Sequence, residues 1–244
     1  MKFNEQKTGE EYILKYLRDK LGYEYIPTEK FKELREFEHE FVVVPLLLEA
    51  VKRINDIDDA KAQEVVREVQ KVEGNEDFLN VLRDGVQVKD SDTGRMRTYA
   101  VVDYSNIKNN QFAVTSQMYF EGTTENIIPD IVVLLNGIPV VDIEAKGPDV
   151  NYEEAIGQIK RYERNAPKLY FPNCFSVATD GFTTVYGATY APKAYFFEWK
   201  DEEQEGELEQ TLSALCAPDQ LLDIVKNFLV YEYDDDSKEK IKKI

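Results

Sequence analysis

Two carboxylates and a lysine lie at the ends of two very apolar segments. Asp130 directly precedes one segment, and Glu144 and Lys146 end the next. Side chains at i and i+2 of a strand share a face, so Glu144 and Lys146 are expected to project together. Carboxylate oxygens suit Mg²⁺, and a lysine can orient water and stabilise charge on phosphorus. These residues predict metal-dependent phosphodiester cleavage, with Asp130, Glu144 and the Ala145 carbonyl as candidate metal ligands.

A Glu-x-Lys pattern alone is weak, because surface charges are common on solvated strand edges. Here the segments 131–135 and 138–144 are so apolar that central strands are expected. Ionisable groups at the ends of central strands are where α/β proteins form sites. Asn136 and Gly137 predict a tight hairpin turn between the strands, because both residue types accept positive φ angles. This context favours the catalytic interpretation.

The register of the hairpin decides whether the two acids meet. A strict two-residue turn would set position 130 opposite 143, leaving Asp130 and Glu144 on opposite faces. A loop of Leu135, Asn136 and Gly137 with a bulge at Gly137 would set position 130 opposite 142, on the face of Glu144. The chemistry requires the second arrangement or an equivalent irregularity near Asp130. Asp142 would share this face, as a supplementary acid or as a mere neighbour.

A helix is expected after Lys146, capped by Asn151 and continuing to about residue 164. Gln158 and Tyr162 are four residues apart and project from one face of this helix, with Arg161 and Asn165 beside them. Such a pair is ordinarily boundary packing on an amphipathic helix, and a role in the site is the alternative.

The remaining pattern predicts an N-terminal helical segment followed by a sheet, in one domain. Helices are expected to end at Gly22, to cover about 34–54 with a kink at Pro45, and to cover about 58–72 and 218–229. Predicted strands cover 98–104 and 112–120, which are expected to be adjacent, and 175–180, 183–186 and 195–199. The acidic stretch 201–209 predicts a loop or a solvated helix face, and 234–243 a charged tail.

Composition excludes several classes of protein. The chain has 244 residues, 47 acidic against 30 basic, and a formal net charge of −17, so any nucleic-acid contact must be local or assisted. The single histidine, His39, is expected on a solvated helix face, which disfavours Ser-His-Asp and histidine-rich zinc sites. Cys174 and Cys216 predict structural thiols. The sequence contains no P-loop motif and neither a signal peptide nor a long apolar run, so a soluble, cytoplasmic protein without membrane contact is expected.

The motifs resemble those of a known family. The resemblance rests on Pro129-Asp130, Glu144-Ala145-Lys146, and Gln158-Ile159-Lys160-Arg161-Tyr162. These segments look like the PD-(D/E)xK nuclease motif followed by the Q-x-x-x-Y motif, in the form found at the N-terminus of type I restriction enzyme R (motor) subunits. Flanking segments extend the likeness over most of the chain: 11–25, 35–55, 136–139, 179–181, 186–187 and Trp199.

The resemblance implies an α/β restriction-endonuclease-like fold, with a mixed central sheet flanked by helices and an N-terminal helical segment. It implies a Mg²⁺-dependent endonuclease, for which Mn²⁺ is an alternative metal, cutting double-stranded DNA beside methylation and specificity subunits. ATP would act only through translocase domains absent from this chain. Residues 1–230 would form the endonuclease domain (helical 1–85, sheet core 86–200), and 231–244 a charged linker.

The resemblance also extends the candidate site. Gln158, Tyr162 and Arg161 would support the site or position DNA, and Glu11 would be a fourth acid from the first helix. A basic island beside the site would consist of Lys160, Arg161, Arg164 and Lys168. A solvated first-turn glutamate explains Glu11 equally well.

Two other functions stay open. The chain could be a catalytically silent nuclease-fold module that binds proteins, although the intact Asp130, Glu144 and Lys146 count against this. It could also be a stand-alone nuclease of repair or defence, which the reading frame beyond Ile244 would distinguish.

Overall fold

The computed structural model describes residues 5–90, 94–200, 208–234 and 239–244. The helices are α1 (Glu5–Asp19), α2 (Thr28–Glu33), α3 (Val44–Asn55), α4 (Asp59–Gln70), α5 (Asn75–Asp84), α6 (Tyr152–Asn165), α7 (Pro167–Tyr170), α8 (Leu208–Cys216) and α9 (Pro218–Asp223). The strands are β1 (Glu24–Tyr25), β2 (Val86–Lys89), β3 (Met96–Tyr99), β4 (Phe112–Ser116), β5 (Ile131–Leu135), β6 (Ile138–Ala145), β7 (Phe175–Thr179), β8 (Thr184–Ala188), β9 (Phe197–Glu198), β10 (Val230–Asp234) and β11 (Glu239–Lys243).

The central sheet is mixed and, within the described residues, has the strand order β1-β4-β5-β6-β7-β8-β9. β1 runs parallel to β4 and β6 runs parallel to β7, whereas the other neighbours are antiparallel. Every residue of β5 and β6 is buried, as expected for strands covered on both faces. α6 connects β6 to β7 and packs on both, while α1 contacts β4 and β6. The predicted mixed α/β sheet flanked by helices is confirmed.

The β5–β6 hairpin combines a two-residue turn with a bulge. Asn136 and Gly137 have φ angles of 54° and 78°, and Leu135 pairs with Ile138 across them. Val140 has no cross-strand partner in the pairing, because Leu134 faces Pro139 and Val133 faces Val141. Beyond the bulge, Ile131 pairs with Ile143, so position 130 lies on the face of position 144. Asp130 and Glu144 therefore lie on the same face, as the proposed chemistry requires. The hairpin achieves this with a strict two-residue turn and a bulge at Val140, whereas the sequence predicted a bulge at Gly137.

The predicted kinked helix over 34–54 is wrong. α3 begins at Val44, with Pro45 in its first turn, where a missing N–H costs no intrahelical hydrogen bond. The preceding residues 34–43 are not helical. His39 therefore lies in an irregular segment, where its half-exposed side chain is 3.6 Å from a carboxylate oxygen of Glu121. The histidine is solvated as expected, although not on a helix. The predicted 58–72 helix is confirmed as α4.

The two strands predicted at 98–104 and 112–120 are not adjacent. β3 pairs with β2 in a separate two-stranded sheet, and β4 pairs with β1 and β5. β4 also ends at Ser116, because Gln117 takes a left-handed conformation with a φ of 50°. The later predicted strands correspond to β7, β8 and β9, although β9 is reduced to two residues.

The C-terminal segment differs from its prediction. The expected 218–229 helix is α9 followed by a π-helical turn over Ile224–Phe228, and α8 was not predicted. Most of the acidic stretch, 201–207, lies outside the described residues. The expected charged tail forms the antiparallel β10–β11 hairpin, in which Ile241 and Lys242 are buried. The linker role of 231–244 and the domain boundary stay predictions. Cys174 and Cys216 are buried free thiols, and none of the described helices is long and apolar enough to cross a membrane.

Candidate functional site

The two strands of the β5–β6 hairpin bring Asp130 and Glu144 together. Asp130 precedes β5, Glu144 lies near the end of β6, and both side chains are buried. The backbone N–H of Asp130 donates to Oε1 of Glu144 at 3.2 Å, and the backbone N–H of Ala145 donates to Oδ2 of Asp130 at 3.0 Å. The two acids are therefore fixed beside each other by the backbone of the same hairpin.

Lys146 lies between the two acids. Its Nζ is 3.8 Å from Oδ2 of Asp130 and 3.7 Å from Oε2 of Glu144. Its backbone N–H donates to the carbonyl oxygen of Thr179 at 2.8 Å, which ties the residue to the end of β7. The three residues selected from the sequence thus converge on one face of the sheet.

Burial makes the negative charge of this cluster costly. Burial raises the pKa of the Glu144 carboxyl well above its usual range, the charges of Asp142 and Asp130 raise it further, and Lys146 opposes them. Within the described residues, Oε2 of Glu144 has no hydrogen-bond partner. The Lys146 ammonium, 3.7 Å away, is the only cation beside this oxygen among the described residues, and one ammonium faces two buried acids. Two carboxylates with a lone pair left unpaired are a donor set that fits a hard divalent cation. No group of three His, Cys, Asp or Glu side chains among the described residues is arranged to hold a metal. Asp130 and Glu144 would therefore need other oxygen ligands beside them.

Asp142 shares the face of Glu144 but has its own partner. Its Oδ2 accepts a hydrogen bond of 2.6 Å from the hydroxyl of Tyr170, a buried residue of α7. Burial raises the pKa of Asp142 to about 7, and Tyr170 opposes that shift. This contact anchors Asp142 to α7 rather than to Asp130 or Glu144.

The helix α6 reaches the acid pair through a tyrosine. Nε2 of Gln158 donates to the hydroxyl of Tyr162 at 2.8 Å, and this hydroxyl donates to the carbonyl oxygen of Ile128 at 3.2 Å. Ile128 lies two residues before Asp130. The pair is therefore joined to the segment that carries the first acid, which simple boundary packing would not require.

Three of the four residues of the expected basic island are exposed, and Lys160 is not. Lys160 is mostly buried, and its Nζ lies 2.8 Å from Oε2 of Glu163, so its charge is neutralised within α6. Arg161, Arg164 and Lys168 are exposed. Arg161 and Arg164 are three residues apart on α6 and therefore share a side of that helix, whereas Lys168 lies in the separate helix α7.

The acid of α1 that faces the site is Glu10 rather than Glu11. Glu11 is exposed, whereas Glu10 is buried and its Oε2 accepts a hydrogen bond of 2.9 Å from Nε2 of Gln117. The same Nε2 lies 3.2 Å from Oδ1 of Asp130. Helical spacing from the buried Ile13 would have selected Glu10, because positions i and i+3 share a face. Gln117 carried no sequence signal.

A mixed sheet flanked by helices, with an acid pair and a lysine at the ends of central strands, defines a restriction-endonuclease-like fold. Residues 2–195 match the family described as "Type I restriction enzyme R protein N terminus". The chain belongs to this family.

Curated relatives agree with this assignment. The chain is 32% identical over 225 residues to a putative type I restriction enzyme MjaVIIIP endonuclease subunit of Methanocaldococcus jannaschii, covering 84% of this chain and 21% of the relative. It is 30% identical over 251 residues to the type I restriction enzyme HindI endonuclease subunit of Haemophilus influenzae, covering 92% of this chain and 24% of the relative. The chain thus spans about a fifth to a quarter of the length of these relatives.

Proposed function

We propose that this chain is the Mg²⁺-dependent DNA endonuclease domain of a type I restriction R subunit, with a PD-(D/E)xK site. The observation that carries the proposal is the convergence of Asp130, Glu144 and Lys146 on one buried face. Membership in a family of restriction endonuclease subunits supports the same chemistry.

Each residue of the cluster has a chemical role in this proposal. Asp130 and Glu144 hold the cation, with the Ala145 carbonyl as a further ligand. Glu10 adds negative charge from α1 and is linked to Asp130 through the Gln117 amide. The bound Mg²⁺ would supply positive charge to the scissile phosphate, and Mn²⁺ would serve as a substitute. Lys146 lies next to both acids, so its Nζ would be close to the phosphate bound at the cation. From there it orients the attacking water and stabilises the charge that develops on phosphorus.

DNA approaches along the exposed cations of α6 and α7 in this proposal. Arg161, Arg164 and Lys168 contact phosphates, which positions the duplex without reading its sequence. With a net charge of −17, the chain has little long-range attraction for DNA. Translocase domains driven by ATP, and methylation and specificity subunits, would deliver the DNA, in keeping with the much greater length of the relatives.

Two alternatives make different predictions. A catalytically silent nuclease-fold module would bind a partner protein and tolerate loss of Asp130. A stand-alone repair or defence nuclease would cut DNA without any other subunit. The acid pair with its adjacent lysine disfavours the first, and the length of the relatives disfavours the second.

The test is Asp130→Asn in the complete R subunit, assembled with its partner subunits. We expect DNA cleavage to fall by at least about 100-fold, because a charged ligand of the proposed cation is lost, and with it the positive charge that would stabilise the transition state. ATP hydrolysis should persist, since the motor would be a separate site. The control is Glu11→Gln, which removes an exposed charge from α1. A variant with Asn at position 130 that cleaves DNA like the unmodified enzyme would refute the proposal.

A further inference from the structure

Gln117 has an unusual backbone conformation next to the acid pair. It follows the last residue of β4 and has a φ of 50°, a left-handed conformation that non-glycine residues rarely adopt. Such residues persist where the surrounding structure holds them, and they cluster at functional sites. An observed outlier of this kind raises the question of what Gln117 holds in place.

The neighbours of Gln117 fix its position from the β4 side. The carbonyl oxygen of Ser116 accepts a hydrogen bond of 2.8 Å from the hydroxyl of Thr28, and the hydroxyls of Ser116 and Tyr25 are 3.2 Å apart. Met118 on the other side is buried in the core. The left-handed turn therefore lies between two anchored residues.

Both the backbone and the side chain of Gln117 bind Asp130. Its backbone N–H donates to the carbonyl oxygen of Asp130 at 2.9 Å, and its Nε2 lies 3.2 Å from Oδ1 of the same residue. Nε2 also donates to Oε2 of Glu10 at 2.9 Å. The Ala145 N–H holds the other oxygen of Asp130, so each oxygen of this carboxylate faces its own donor.

We propose that Gln117 is a positioning residue that orients Asp130 and holds Glu10 beside it for divalent-cation binding. A neutral amide can join two carboxylates that would otherwise repel each other. The left-handed turn lets the backbone N–H and the side-chain amide reach the same aspartate. This inference rests on the proposed function, in which Asp130 and Glu144 hold the cation.

The test measures Mn²⁺ binding by the chain carrying Gln117→Gly. Glycine adopts the left-handed conformation without strain, so this variant removes the amide while sparing the fold. The matched control is Asp56→Gly, since Asp56 has a φ of 51° at the exposed end of α3. Gln117→Met is a second variant, which keeps the side-chain length and removes the N–H donors. Thermal unfolding of each variant accompanies the titration.

We expect Mn²⁺ to bind about tenfold more weakly to both Gln117 variants, the scale of one hydrogen bond to a charged group. The melting temperature of Gln117→Gly should lie near or above that of the unmodified chain, and Asp56→Gly should bind Mn²⁺ normally. Unchanged Mn²⁺ affinity in the Gln117 variants would overturn the inference. If Gln117→Gly does not fold, the Mn²⁺ affinity of Gln117→Met alone decides the outcome. Absence of Mn²⁺ binding by the unmodified chain would instead refute the proposed metal site.

Discussion

At the residue scale, contacts from three different elements orient Asp130. Gln117 and Ala145 each donate to one of its oxygens, and Tyr162 holds the carbonyl of Ile128 two residues earlier. Groups that are already ordered lose less conformational freedom when a ligand binds. The proposed cation would therefore meet an aspartate whose position is already fixed.

Tyr162→Phe tests the contact with Ile128. The change keeps the ring and removes the hydroxyl, leaving the Gln158 amide and the Ile128 carbonyl without their shared partner. We expect Mn²⁺ affinity to fall roughly two- to tenfold, as for loss of a neutral hydrogen bond, with little change in melting temperature. Tyr152→Phe, at the other end of α6, is the matched control. Equal Mn²⁺ affinity in the two variants would identify Tyr162 as packing alone.

Sequence reasoning predicted the residues whose chemistry is carried by their type and spacing. Asp130, Glu144 and Lys146 were identified in this way, because strand alternation relates positions along one chain segment. Glu10 and Gln117 reach the site from separate elements, and their approach depends on tertiary packing. The predicted Glu11 is exposed and the neighbouring Glu10 is buried, because one position along a helix turns a side chain by about 100°.

At the element scale, the turn of the β5–β6 hairpin is buried rather than exposed. Asn136 is fully buried, and its side-chain amide donates to the carbonyl of Val101 at 2.8 Å. The carbonyl of Gly137 accepts a hydrogen bond of 2.8 Å from the N–H of Val43, which precedes α3. The helix and the hairpin therefore dock through the turn.

Gly137→Ala should destabilise this docking. A Cβ at position 137 would lie 2.8 Å from the Val43 carbonyl oxygen and 2.8 Å from Cβ of Leu46, in addition to the strain of a positive φ. We expect the free energy of unfolding to fall by at least about 2 kcal/mol. Gly22→Ala is the control, because its φ of 79° matches and its Cβ would meet nothing within 4 Å. Urea unfolding of both variants measures the difference, and equal losses would contradict a packing role for Gly137.

The hairpin was predictable because Asn-Gly and the two apolar runs are local signals. The start of α3 was not, since helical periodicity across 34–54 outweighed the positional meaning of Pro45. The bulge at Val140 could not be predicted from the residue pattern, because Val140 is as apolar as its neighbours in the strand. Irregularities that depend on both strands are not encoded in either strand alone.

At the scale of the whole molecule, the C-terminal hairpin inserts a lysine into the domain. Lys242 is buried, and its Nζ donates to Oδ1 of Asn75 at 2.9 Å and to the carbonyl oxygen of Asn173 at 3.0 Å. Burial lowers the pKa of Lys242 to about 8. The sequence could not reveal this contact, because nothing in the charge pattern distinguishes Lys242 from the neighbouring lysines, and the whole segment was predicted to be an exposed tail.

Lys242 should make the protein more stable as the pH rises. Below pH 8 the lysine is charged in both states, and above it the folded state loses the proton while the unfolded state keeps it until about pH 10.5. Stability rises where the unfolded state binds more protons. Between pH 7.5 and 9.5 we expect this group to add about 2 kcal/mol to the free energy of unfolding.

Urea unfolding at the two pH values provides the measurement. Lys242→Met should remove the increase, whereas Lys240→Met, which changes an exposed lysine of the same strand, should keep it. A pH dependence that is the same in all three proteins would show that Lys242 does not titrate in this range.

Because of the bulge in β6, the number of residues between Asp130 and Glu144 does not by itself determine whether the two side chains meet. Asp130 and Glu144 are fourteen positions apart, and one of the intervening residues, Val140, has no partner across the strands. Deleting Val140 would make the hairpin regular and still leave the glutamate opposite Asp130, because a bulge accommodates one extra residue without changing the flanking register. A chain one residue shorter at this point would therefore keep the same pair of carboxylates. A search pattern that fixes the interval between the two acids would overlook such a chain.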